Sequence, residues 1–210
     1  MKGLFITFEG SEGCGKSTQS KLLAEYLRRK GCKVVYLREP GGTAISEKIR
    51  NILLDPKNHI EPLSETLLYM VARVQLVKQI IKPALAEGKI VICDRFLDST
   101  IAYQGYGLGV DIKFIQHTGK LATDGIKPDL TILLDLAVKE GLRYREFSKD
   151  RIEKRSLSYH LRVRKGYLKL AACEPKRIKV IQVDKDKFVT QENIRELVER
   201  HVIPRYQRPG

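Results

Sequence analysis

The chain of 210 residues has four cysteines and four histidines, and neither set is grouped. Cys14, Cys32, Cys93 and Cys173 form no CxxC pair, and no histidine stands at zinc-ligand spacing from them. A disulfide framework or structural zinc is therefore excluded as the basis of the fold. Unpaired thiols suit a reducing compartment. No apolar run approaches the ~18 residues of a membrane span, and MKGLFITFEG is too short and too strand-like for a signal peptide. A cytoplasmic protein with no membrane partner is expected. Internal repeats, low-complexity tracts, interdomain linkers and basic tails are also missing, so one domain spanning 1–210 is expected.

What the chain does have is positive charge: 39 Lys and Arg against 25 Asp and Glu, a net +14. Such a balance predicts anionic partners, although part of it is solvated helix surface. The excess is densest from Arg143 to Lys165.

Apolar runs alternate with helical patterns along the sequence. Residues 3–9, 33–38, 89–94, 129–135 and 177–184 read as strands, continuous rather than alternating, as in a parallel sheet covered on both faces. Helical stretches are expected at about 16–30, 44–54, 64–87, 111–124, 137–147, 154–173 and 190–202. The fold class is α/β, a five-stranded parallel sheet with helices on both faces. Pro83 predicts a kink or a fresh start inside 64–87. The polar stretch 143–153 reads as a surface segment joining two helices.

Gly10-Ser11-Glu12-Gly13-Cys14-Gly15-Lys16-Ser17 fits GxxxxGK[ST] between the first strand and the first helix, where the mechanism requires it. Glycines let backbone N–H groups curl around phosphate oxygens, and the helix N-terminus adds partial positive charge. Lys16 is expected at the β- and γ-phosphates, and the Ser17 hydroxyl on Mg²⁺. Gly10 to Thr18 thus form the expected ATP site of a P-loop NTPase. No NKxD-type guanine segment accompanies it, and the small size argues against a motor. Two further segments, REPGGT (38–43) and DRFLDS…AYQG (94–105), follow the second and third strands. Strand ends at one sheet edge are where ligands sit in such folds.

With these three motifs at their spacing, the sequence resembles the bacterial type of thymidylate kinase over nearly its whole length. The resemblance implies transfer of the γ-phosphoryl group of ATP to dTMP, with Mg²⁺, in a homodimer and with no nucleic-acid partner. Arg95 matches the arginine holding the acceptor phosphate, a role suited to a guanidinium fork, and Arg50 matches a second substrate-site arginine. Asp94 matches the carboxylate that organises Mg²⁺ together with Ser17. Tyr69 and Arg73, at i and i+4, share a helix face; in the family this pair stacks on the base and donates to a pyrimidine carbonyl. Tyrosine departs from the usual phenylalanine, and its hydroxyl needs water or a partner. Gln104, with Thr100 one turn earlier, matches the amide at the base edge. Tyr103 matches the ring beneath the sugar 2′ carbon. Glu12 matches the acid near the sugar 3′-hydroxyl and Mg²⁺, and Glu39 and Pro40 complete the acceptor site. The segment 143–153 resembles the lid that closes over ATP. Lid arginines neutralise the phosphoryl group because the P-loop has no basic residue at 11–14. Tyr144 stands where relatives often carry Arg, leaving Arg145 or Arg151 as the catalytic lid arginine. The competing expectations are a kinase for dUMP or dCMP, and a P-loop ATPase that binds nucleic acid. The latter leaves REPGGT and AYQG unexplained.

Overall fold

The computed structural model describes residues 3–144 and 150–201. Five strands, β1 (Leu4–Gly10), β2 (Val34–Arg38), β3 (Ile90–Asp94), β4 (Leu130–Asp135) and β5 (Ile178–Gln182), form one parallel sheet ordered β2-β3-β1-β4-β5. Each coincides with a run expected to be a strand, with β1 extending one residue past 9 and β5 ending two residues before 184. The central strands β1, β3 and β4 are buried at every position, which is why their sequences do not alternate.

The helices are α1 (Lys16–Arg29), α2 (Ala44–Leu54), α3 (Pro62–Leu76), α4 (Lys82–Ala86), α5 (Leu97–Thr100), α6 (Ile112–Ala122), α7 (Val138–Arg143), α8 (Leu157–Cys173) and α9 (Lys187–His201). On one face of the sheet, Leu23 and Leu27 of α1 and Ile194 and Val198 of α9 pack on Phe8, Ile92 and Ile132. On the other, Leu76, Val77 and Phe96 cover Phe5 and Val91, while Tyr103, Tyr159 and Val163 cover Leu133.

The fresh start expected at Pro83 is present: α3 gives way to a π-helical turn, Val77–Ile81, and α4 begins with Pro83 in its first turn. That placement suits a residue with no N–H to donate. Two other expectations need correction. The segment after β3 is helical, with α5 running into a second π-helical stretch, Ile101–Gly107. Its two glycines serve close packing: a Cβ on Gly107 would lie 2.6 Å from Tyr159 of α8. Finally, 143–153 is not a surface segment throughout. Residues 145–149, with Arg145 and Lys149, lie outside the described residues, but Ile152 and Glu153 are buried. Asp150 shapes that turn by accepting from the Ile152 and Glu153 amides, each at 2.9 Å.

Candidate active site

The parallel register sets Asp94, the last residue of β3, opposite Phe8 of β1, two residues before the chain leaves that strand at Gly10. Gly13 (φ 71°) and Gly15 (φ 87°) hold left-handed backbone in the loop that follows. Gly13 is also pressed against α7: a Cβ there would lie 1.8 Å from the Gly141 carbonyl. Gly15 caps α1, so the helix N-terminus opens onto the loop. Lys16 Nζ donates to the Ser11 carbonyl at 2.7 Å, and Ser17 Oγ donates to Asp94 Oδ2 at 2.5 Å. Within the expected ATP site, Glu12, Gly13 and Gly15 to Thr18 line the cavity. Cys14 faces the other way, its thiol packed in the core under Gly10, so any contact it makes with phosphate is through backbone.

The cavity has a volume of about 330 Å³ and runs from the P-loop to α3, within the usual range of ligand sites. Glu39, Pro40, Arg50, Tyr69, Arg73, Asp94, Arg95, Thr100, Tyr103 and Gln104 all line it. The structure thus brings together every expected acceptor-site residue. Arg95 sits at φ 72°, an uncommon conformation for a side chain of this size. Its amide is fixed by the Phe8 carbonyl at 2.9 Å. Its Nη2 donates to Glu12 Oε1 at 2.7 Å, and its guanidinium carbon lies 4.8 Å from the centre of the Tyr103 ring. Tyr103 also donates to Glu12 Oε1, at 2.7 Å.

Arg73 is fully buried and bound to Glu39, with Nε at 2.9 Å and Nη2 at 2.7 Å from Oε2. Nη2 further donates to the Phe96 carbonyl and Thr100 Oγ1. Burial pushes the Glu39 carboxyl above its ordinary value, and the Arg73 charge opposes that. Arg50 donates to the Pro40 carbonyl at 3.0 Å, which ties α2 to the REPGGT turn. Burial, with the nearby Glu65 charge, pushes the Tyr69 phenol well up. Its ring therefore faces the cavity in the neutral form.

Arg151 is not where the lid expectation put it. Its Nε donates to the Leu53 carbonyl at 2.8 Å and its Nη2 pairs with Glu65 at 2.6 Å. That makes it a strut from 150–155 to α2 and α3, not an arginine free to reach a phosphate.

Sequence reasoning missed two acids. Glu9 is buried in β1 and accepts from the Phe96 amide (2.8 Å), Ser99 Oγ (2.6 Å) and Tyr167 OH (2.9 Å). Ser99 and Tyr167 in turn take bonds from Arg95 Nη1, so Glu9 underpins Arg95. Burial and then the Asp98 charge push its carboxyl up to about 7, against the bonds from Ser99 and Tyr167 and the charge of Arg95. A charged residue inside an otherwise apolar strand was the signal. The second is Glu65, four residues before Tyr69 and eight before Arg73, hence on their face of α3.

A family profile for thymidylate kinase matches residues 8–194. The chain belongs to the thymidylate kinase family. It is 45% identical over 203 residues to the thymidylate kinase of Thermoanaerobacter sp. (strain X514), covering 96% of this chain and all of that protein. With the enzyme of Geotalea uraniireducens it shares 52% identity over 189 residues, 85% of this chain and 88% of that one. The crystal structure of thymidylate kinase from Ehrlichia chaffeensis superposes with a TM-score of 0.78 at 37% identity, covering 95% of this chain and 99% of the other. The family member described here is an ATP-dependent dTMP kinase, a phosphotransferase that makes dTDP on the route to dTTP. The parallel sheet agrees with that fold. Among the described residues, no helix is long and apolar enough to cross a membrane.

Proposed function

We propose that the cavity is where the two nucleotides meet, the phosphate end of ATP on the P-loop and dTMP between Arg95 and α3. The observation that carries this reading is the opening of Lys16, Ser17 and Asp94 into the same 330 Å³ space as Arg95, Arg73, Tyr69 and Gln104. Lys16 exchanges its bond to Ser11 for the β- and γ-phosphates. Arg95 holds the dTMP phosphate, with Arg50 as a second cation, and Tyr103 and Glu12 orient the sugar. Tyr69 stacks on the base, and Arg73, Thr100 and Gln104 meet its edge. Glu39 acts through Arg73, which it holds, and Pro40 carries the carbonyl that positions Arg50.

Ser17 and Asp94 fit Mg²⁺. Asp94 Oδ1 is buried with no hydrogen-bond partner beside the Ser17 hydroxyl, an oxygen pair suited to a hard cation and its waters. The ion, when bound, neutralises charge on the phosphates of ATP. The acceptor is a phosphate oxygen already ionised at pH 7, so no general base is needed. Catalysis comes from positioning and charge neutralisation around a loose transition state, supplied by Lys16 and Arg95. Arg145 is our choice for the lid cation, now that Arg151 is committed to Glu65.

We also read 1–210 as one domain in a cytoplasmic homodimer. Leu63, Leu67, Val71 and Val74 form an exposed apolar stripe along α3, with Ile45 and Ile52 beside it on α2. Such a patch supports self-association.

Lys16→Ala tests the site assignment. Turnover should fall roughly 10³-fold or more, the scale arginine fingers provide, with dTMP binding by titration retained. Near-normal turnover would contradict the reading.

A further inference from the structure

Glu65 has no exposed surface and lies behind the cavity wall. Its Oε1 accepts from Gln104 Nε2 at 2.8 Å. Its Oε2 accepts from Arg155 Nη2 at 2.6 Å and lies 2.6 Å from Arg151 Nη2. Held by two guanidinium groups, the carboxylate cannot swing to follow a neighbour. Because its oxygens accept, the Gln104 amide has one orientation, nitrogen toward Glu65 and carbonyl oxygen away. Gln104 lines the cavity, and among the described residues no group donates to that oxygen. Beside it, Arg73 commits Nε and Nη2 to Glu39, Phe96 and Thr100, while Nη1 meets only the weakly accepting Met70 Sδ, at 3.4 Å. The wall therefore presents an acceptor at Gln104 and a spare donor at Arg73.

We propose that Glu65 is a specificity-positioning residue, which locks the Gln104 amide so that the pocket selects a pyrimidine bearing a proton on N3. The inference rests on the reading that the base lies against Tyr69, Arg73 and Gln104. Thymine and uracil offer an N3–H donor beside a carbonyl and so match both groups. Cytosine offers an unprotonated N3 beside an amino group and opposes both. An amide free to turn would accommodate cytosine by presenting its nitrogen, and Glu65 removes that freedom. A mismatched polar pair in a dry pocket discriminates strongly because its groups are left unpaired.

The test is kcat/KM for dTMP, dUMP and dCMP in the wild type, Glu65→Gln and Gln104→Ala. Glutamine at 65 can donate as well as accept, so it releases the Gln104 amide. The dTMP-to-dCMP preference of Glu65→Gln should fall by roughly tenfold or more. The dTMP-to-dUMP preference, which reads the 5-methyl group, should stay within about twofold. A purely structural role would lower all three substrates together and would overturn the proposal. If Gln104→Ala loses the dTMP-to-dCMP preference while Glu65→Gln keeps it, the Glu65 proposal fails and the base pocket stands. If neither variant loses it, the base-pocket reading itself fails. Should Glu65→Gln not fold, the wild-type enzyme decides. Its Gln104 Nε2 protons should exchange slowly by ¹⁵N NMR both with and without dTMP, and fast exchange in the free enzyme would overturn the proposal.

Discussion

Arg95 shows how much of this site is held from beneath. A side chain at positive φ, packed over Tyr103 and bonded to Glu12, Ser99 and Tyr167, is preorganised for an anion. Glu9 sits below it and carries a titration with a defined sign. Its carboxyl has an ordinary value of 4.5 and is pushed up to about 7 in the fold. Between those values the folded state keeps the proton and the unfolded state has lost it, so stability falls as pH rises through that window. The contribution is on the order of 3 kcal/mol. Urea unfolding of Glu9→Gln from pH 4 to 8 should lack this decline, and identical slopes in both proteins would contradict the assignment. Arg95→Lys keeps the charge but loses the fork. It should raise KM for dTMP by roughly tenfold or more while leaving ATP affinity within about twofold, checked by steady-state kinetics and ATP titration.

At the scale of elements, the strands and the P-loop were legible because their signals are local: five apolar runs and one spaced glycine motif. The helix after β3 was not. Its glycines pack closely only once α8 is in place, where Gly107 meets Tyr159 and Gly166 meets Tyr106. The resemblance named acceptor-site residues that all prove to line one cavity, but it gave no view of where Arg151 is held. Its partners Leu53 and Glu65 are about 98 and 86 positions away in the chain, and no local pattern reports them. Likewise, the Glu65–Gln104 bond spans 39 residues. One contact between elements gives a sharp expectation. A Cβ on Gly141 of α7 would lie 2.2 Å from the Glu12 carbonyl, so Gly141→Ala must displace either the P-loop or α7. It should cost roughly 1–3 kcal/mol of stability and weaken ATP binding, read by thermal unfolding and nucleotide titration. Unchanged ATP affinity would show that the loop does not lean on α7.

Across the whole molecule, the excess of basic residues does not collect at the cavity. Lys16, Arg38, Arg50, Arg73 and Arg95 border it, but so do Glu12, Glu39, Asp94, Asp150 and Glu153, so the lining is balanced and the net charge of +14 is carried elsewhere on the chain. The α3 stripe makes the remaining claim at this scale. Val71→Glu places a charge on a half-exposed position and should shift the enzyme from dimer to monomer in sedimentation velocity. A monomeric wild type would contradict that.

The most direct measurement is ADP release from Mg-ATP with dTMP, dUMP, dCMP, dGMP and single-stranded DNA, each added alone. The account predicts that dTMP is the preferred acceptor and that dCMP is rejected more strongly than dUMP. If another monophosphate were preferred, Tyr69, Arg73 and Gln104 would be misassigned. Turnover stimulated only by DNA would contradict the kinase altogether.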